Sequence, residues 1–335
     1  MTQNANTKKL RVAVIGLGKM GLLHSSLLSV FPNVDLVAIC DKSRLMRALA
    51  KSTLKKPLVT DDLSLLSDLN LDVVYVTTPI PSHYSIIKEI YSKSIAPNLF
   101  VEKTLSSTFP KSEEICKLAQ GSNGLNMVGY MKRFSVTFKK AKEFLGQKML
   151  GEVLSFEAYA FSSDFAEVAK NSSISAIRGG VLVDLGAHVA DLALWFFGDL
   201  HVNSALTKLS PAVGSVDSAT FEVTGANSLF GKFEISWTKT GYRLPEFGLT
   251  IKGTKGNMTV DDNRVKLYVN NSKLVEWYRQ DLFDLVPFLL AEPEYFRENE
   301  SFIGSIIGGI EIESNFRSAL KVDNLLGEVE RKANA

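Results

Sequence analysis

The segment VDLGAHVADL, residues 183–192, sets Asp184, His188 and Asp191 into an otherwise apolar run. On a helix, Asp184 and His188 stand one turn apart on one face, and Asp191 follows nearly a turn later. An imidazole between carboxylates suits a metal site, a structural hydrogen bond, or proton transfer near neutral pH. The chain has four histidines and two cysteines. No second histidine pattern or cysteine pair joins this one, which disfavours metal, and Asp191 is expected to be a structural acceptor. A second stretch, GLGKMG, gives Gly16, Gly18 and Gly21 the spacing GxGxxG. There Gly16 permits a tight turn, Gly18 lets backbone approach a pyrophosphate, and Gly21 lets a helix pack closely on a strand. The helix N-terminus, at Lys19 and Met20, faces the anion. Asp41 closes the next apolar run, where a carboxylate accepts from a ribose diol and repels a 2′-phosphate, favouring NAD. The neighbouring Lys42 and Arg44 leave NADP open.

These residues need particular elements to hold them. LRVAVIG reads as a buried strand and MGLLHSSLLSVF as a helix that Pro32 helps to end. VDLVAIC is a second strand and RLMRALAKS a helix; DVVYVTT and NLFVEKT are further strands, with SIIKEIYSK as a helix between them. Strict alternation of strand and helix predicts right-handed crossovers and a mainly parallel, doubly wound sheet of Rossmann type. After Gly151 the texture changes: VLSFEAYAF, DSATFEVTG, SLFGKFEISWTK and FGLTIKG alternate apolar and polar residues between turn signals. They predict a C-terminal α+β domain with a large, mainly antiparallel open sheet. Gly179 and Gly180 introduce the helix carrying Asp184 and His188, and Gly198 closes it. The expected division is 1–129 for the dinucleotide domain and 130–335 for substrate binding and oligomerisation, with the last helices free to pack back on the first domain.

At 335 residues the chain has room for about two domains. A net charge of +2 carries no signature of nucleic-acid or anionic-membrane binding. The polar start lacks the apolar core and cleavage site of a secretory signal, and no uncharged apolar run approaches the ~18 residues of a membrane span. With two unrelated cysteines, a reducing, cytoplasmic setting is expected.

Taken together, GLGKMG, TTPIPSH, VEKT, GYMKRF and the D-x-G-x-H-x-x-D of Asp184 to Asp191 resemble the glucose-fructose oxidoreductase / inositol dehydrogenase (Gfo/Idh/MocA) family. The resemblance extends through IKGTKGNMTVDD, similar to that family's sheet hairpin, to the late helix around Phe316–Lys321. It implies an NAD(P)-dependent oxidoreductase acting on a CH–OH carbon of a sugar, sugar derivative or cyclitol, working as a homo-oligomer. It also implies Lys103, Asp184 and His188 as catalytic and substrate-binding groups, and Glu102 as a residue meeting the nicotinamide ribose. Thr78, Pro79 and His83 would stand beside the nicotinamide, with Ser82 or His83 equally well only capping the next helix, and Tyr130 and Arg133 could face the substrate, Arg133 equally well forming a structural ion pair. Two positions depart from the pattern. Thr104 replaces the usual proline after the lysine, which puts any special peptide geometry there in question, and Ile80 replaces a common asparagine.

Hydride transfer between an alcohol carbon and NAD needs a group to manage the hydroxyl proton. His188 suits that role, Lys103 can donate to the same oxygen and stabilise alkoxide charge, and Asp184 can bind an adjacent hydroxyl or orient the imidazole. Two further classes stay open: a glycosidase that retains NAD and uses transient oxidation, and a non-catalytic nucleotide-binding regulator. The loops FSSDFAEVAKNSSIS and TGYRLPEF are expected to set the substrate. The uncovered sheet face, bearing Phe233 and Trp237, is the expected subunit interface.

Overall fold

A computed structural model describes residues 9–54, 56–164, 179–210, 215–270 and 272–335. The chain divides into two compact units. The first comprises residues 1–130 and 286–320, the second 131–285 and 321–335. The first break falls between Tyr130 and Met131, and residues 286–320 return to the first unit.

The first unit is a six-stranded parallel sheet in the order β3-β2-β1-β4-β5-β6. Its strands are β1 (Leu10–Ile15), β2 (Val34–Cys40), β3 (Leu58–Thr60), β4 (Val73–Val76), β5 (Asn98–Glu102) and β6 (Asn126–Gly129). Every residue of β4, VVYV, is fully buried, as expected of a strand covered on both faces. Helices α1 (Lys19–Ser29), α2 (Arg44–Thr53), α3 (His83–Ser92) and α4 (Phe109–Gln120) form the crossovers. The sequence pattern misses β3 and β6. Both are edge strands of three or four residues, too short to establish a period. Helix α7 (Pro293–Gly308) also lies in this unit, and its Phe296 stacks on Phe31 with ring centroids 5.0 Å apart.

The second unit is an eight-stranded sheet in the order β14-β13-β12-β11-β7-β10-β9-β8. It contains β7 (Val153–Phe161), β8 (Leu200–Ser210), β9 (Ser215–Gly225), β10 (Phe230–Ser236) and β11 (Glu246–Gly253). The last three strands are β12 (Gly256–Asp261), β13 (Arg264–Val269) and β14 (Ser272–Tyr278). Only β7 and β10 pair in parallel; the other neighbours are antiparallel. One face packs under α5 (Val136–Gly146) and α6 (Ala187–Phe197). Phe233 and Trp237 lie on that covered face with no exposed surface, and Phe233 stacks on Phe221 at 4.3 Å. The expectation that they mark the open face is therefore wrong. Strand alternation sends residues 231, 233 and 235 inward, so Phe230, Lys232 and Glu234 point the other way, beside Leu206 and Thr220 of the neighbouring strands. Helix α8 (Phe316–Ala333) ends the chain. No described helix is long and apolar enough to cross a membrane.

Candidate active site

Parallel strands end at a common edge, and here the C-terminal ends of β1, β2, β4 and β5 carry Gly16, Asp41, Thr77 and Lys103. In this strand order the chain reverses direction of winding between β1 and β4, which opens a crevice at that edge. The three glycines play different roles. Gly16 has φ +96°, a value that favours glycine, and Gly21 lies so close to the turn that a Cβ there would sit 1.8 Å from the Gly16 carbonyl oxygen. At Gly18 the backbone has φ −63°, and an added Cβ would meet nothing within 4 Å. Two glycines thus build the turn, while Gly18 leaves an open approach to the start of α1. That helix has no side-chain cap at its N-terminus, the arrangement that suits a pyrophosphate. The turn is held from both sides. Thr77 donates its backbone N–H to Ile15 O at 2.9 Å and its hydroxyl to Gly16 O at 2.7 Å, and Gly16 N–H donates to Cys40 O at 2.8 Å.

Asp41 accepts the Leu17 N–H at 2.5 Å and the Ser43 N–H at 2.6 Å, which fixes its carboxylate against the glycine loop. Lys42 and Arg44 are exposed. Arg47, not singled out in the sequence, braces this corner. Its guanidinium donates to Asp41 O and Lys42 O and pairs with Asp61 at 2.8 Å. Lys19, Met20, Thr78, Pro79 and Lys103 all keep exposed surface, in contrast to the fully buried strand interiors. The Lys103–Thr104 peptide is cis although no proline follows the lysine, so the doubt raised by Thr104 about the geometry there does not hold.

His83 is fully buried. Its Nδ1 lies 2.9 Å from Thr104 O and its Nε2 2.8 Å from Thr78 O. Burial pushes its pKa below the ordinary histidine value, opposed by these backbone contacts and by the charge of Glu102. The ring clasps the Thr78 loop to the loop after Lys103. Glu102 is 8 % exposed, with Oε1 2.8 Å from His24 Nε2 and Oε2 accepting the Lys103 N–H at 3.2 Å. His24, which reaches Glu102 from α1, is not singled out in the sequence; its only signal there is a lone imidazole in an apolar helix.

In the second unit, the helical segment opens with Gly179 and Gly180 at positive φ and ends at Gly198 with φ +82°. Its first turn, Leu182–Gly186, is π-helical and leads directly into α6. Such widened turns recur at functional sites. Asp184 in this turn and His188 in α6 remain partly exposed, while Val189, Ala190, Leu192 and Ala193 are fully buried. The His188 ring stands edge-on to Phe247 at 5.2 Å, and the Lys132 ammonium lies 5.0 Å from the same Phe247 ring. Lys132 pairs with Asp262 at 2.7 Å, and the second Asp262 oxygen accepts the Phe247 N–H at 2.9 Å. Lys132, Asp262 and Phe247 therefore brace the imidazole; each lies within a motif quoted above, GYMKRF, IKGTKGNMTVDD or TGYRLPEF, but only the fold brings them together.

Asp191 and Arg133 form a two-pronged buried pair, with Nε–Oδ2 at 2.7 Å and Nη2–Oδ1 at 2.5 Å. Burial pushes the Asp191 carboxyl up, and the guanidinium opposes that shift. Of the two roles open to Arg133, the structure shows the ion pair. Tyr130 is fully buried. Both side chains are buried. Among the described residues no group of three His, Cys, Asp or Glu side chains is arranged to hold a metal. TGYRLPEF leads into β11, while residues 165–178, which include most of FSSDFAEVAKNSSIS, lie outside the described residues.

Comparison with known proteins tests what this geometry suggests. The "Oxidoreductase family, NAD-binding Rossmann fold" model matches residues 10–130, and the "GFO/IDH/MocA C-terminal domain" model matches residues 138–259. D-glucoside 3-dehydrogenase of Escherichia coli is 25% identical over 333 residues, covering 92% of this chain and 91% of its own. The scyllo-inositol 2-dehydrogenase (NAD(+)) of Bacillus subtilis is 26% identical over 195 residues, covering 57% of this chain and 54% of its own. Among solved structures, levoglucosan dehydrogenase in complex with NADH and L-sorbose superposes with a TM-score of 0.84 at 19% identity, covering 98% of this chain and 97% of that one. Matches to both halves, in order and over most of the length, agree with the glycine turn, its acidic partner and the two sheets. The chain belongs to the GFO/IDH/MocA family of NAD-binding oxidoreductases.

Proposed function

We propose that the protein transfers hydride between NAD and a CH–OH carbon of a sugar, sugar derivative or cyclitol, consistent with the relatives' names. The observation that carries this reading is the single sheet edge bearing the open Gly18, the pinned Asp41, the Thr78–Pro79 loop and Lys103. Gly18 and the start of α1 would hold the pyrophosphate, and Asp41 the adenosine ribose, with NAD preferred over NADP. Glu102 would meet the nicotinamide ribose. The nicotinamide supplies the hydride acceptor or donor. Lys103 donates to the substrate oxygen and stabilises negative charge on it. His188 accepts the hydroxyl proton in oxidation and returns it in reduction, while Asp184 binds a neighbouring hydroxyl or orients the imidazole.

The test is absorbance of NADH with a panel of sugars, nucleotide sugars and cyclitols. Lys103→Ala and His188→Ala are expected to lose turnover by about 10²–10⁴-fold with NAD affinity retained. Loss of NAD binding in both variants refutes the assignment. Cleavage of a glycoside with NAD retained through dialysis and no net NADH overturns it in favour of a hydrolase. We further propose a cytoplasmic homo-oligomer, supported by Cys40 and Cys116, which stand outside any disulfide, and by exposed Leu206 and Phe230 on the open sheet face. Light scattering on the purified protein checks the assembly.

A further inference from the structure

Buried polar side chains inside an aromatic cluster are costly unless fully satisfied. The first unit holds such a set beneath the end of β5. His24, fully buried, lies among the rings of Phe100 at 4.8 Å, Tyr75 at 5.6 Å and Tyr295 at 6.4 Å. Both ring nitrogens are engaged: Nδ1 at 3.1 Å from Asn299 Oδ1, and Nε2 at 2.8 Å from Glu102 Oε1. The Asn299 amide is oriented independently, because its Nδ2 donates to Tyr295 O at 2.7 Å. Its oxygen must then face the ring, so His24 Nδ1 carries a hydrogen. The other Glu102 oxygen accepts the backbone N–H of Lys103.

We propose that His24 is a positioning residue. Locked by Asn299, it fixes the rotamer and hydrogen-bonding face of Glu102, and through it the strand end from which Lys103 emerges. This rests on the reading that Glu102 meets the nicotinamide ribose. Asn299, His24 and Glu102 come from α7, α1 and β5, so the relay ties three elements to one carboxylate. A merely structural role predicts loss of stability with unchanged nucleotide affinity per folded molecule. A positioning role predicts weaker NADH binding and a fall in kcat with substrate KM unchanged, since a carboxylate released from its orientation misplaces what it holds.

Three variants of the full-length protein test this: Asn299→Leu, which leaves His24 in place but removes its lock, His24→Leu, and Glu102→Gln. The readouts are NADH affinity by fluorescence titration, the kcat and KM split, and melting temperature. Expected are a roughly tenfold weaker NADH affinity in each variant, a fall in kcat at constant substrate KM, and no further loss when Asn299→Leu is combined with Glu102→Gln, because both act through one carboxylate. Wild-type NADH affinity in folded Asn299→Leu and His24→Leu, with Glu102→Gln impaired, overturns the proposal and leaves the Glu102 reading standing. Wild-type affinity in all three overturns both. Should the variants fail to fold, ¹⁵N spectra of histidine-labelled wild-type protein decide: a protonated His24 Nδ1 is expected, and a bare Nδ1 overturns the proposal.

Discussion

Gly18 and Gly21 belong to one motif, yet alanine at the two positions has different expected effects. At Gly21 the new Cβ would lie 1.8 Å from Gly16 O and 2.9 Å from Thr77 Oγ1. The turn or the helix must shift by about an ångström, and overpacking of this kind costs about 1–3 kcal/mol. Gly21→Ala should therefore lower the melting temperature and weaken NAD binding together. At Gly18, φ −63° and ψ −170° suit alanine, and the methyl meets no protein atom within 4 Å. Stability should hold or rise by about 0.4–1 kcal/mol through the unfolded chain. The methyl instead occupies the approach to α1. NAD at about a hundred times its Kd stabilises a wild-type protein by about 2.7 kcal/mol, or about 5–11 °C for a unit of this size. If Gly18→Ala weakens affinity about a hundredfold, the same concentration yields about 0.4 kcal/mol and a shift of about 1 °C. A thermal-shift titration with NAD reads both effects. A full NAD-induced shift in Gly18→Ala, or an unchanged melting temperature and NAD shift in Gly21→Ala, refutes the division of roles.

Asp41→Ser removes the charge that opposes a 2′-phosphate, and the NAD-to-NADP affinity ratio should fall at least about tenfold, or about 1.4 kcal/mol; an unchanged ratio in paired titrations counts against the assignment. Arg133→Ala strands the buried Asp191 carboxylate, and urea unfolding should show a loss of about 3–5 kcal/mol, whereas a loss below about 1 kcal/mol would show that the pair contributes little. Burial lowers the folded-state pKa of His83, so on acidification the unfolded chain takes up that proton first. Its contribution is complete above about pH 6.5 and declines as pH falls toward the folded pKa, by at most about 1.4 kcal/mol per pH unit. The stability gap between wild type and His83→Asn should narrow between pH 7.5 and 5.5; a widening gap contradicts the sign.

The sequence by itself determined what depends on local stereochemistry and period. The glycine spacing requires a turn that only small residues permit, the apolar runs of β1, β2, β4 and β5 mark buried parallel strands, and Asp184 to His188 occupies a single helical stretch between glycines. Tertiary structure decided what depends on residues far apart in the chain. His24 meets Glu102 across 78 positions and Asn299 across 275, and Arg133 meets Asp191 across 58. No local period records such pairings, so a lone buried histidine and a lysine–arginine pair carry little signal of their own. The sheet faces show the same limit. Alternation in β10 separates Phe230 from Phe233, but only packing beneath the helical segment that begins at Leu182 makes Phe233 the buried one, because a strand's period is symmetric until another layer covers one side.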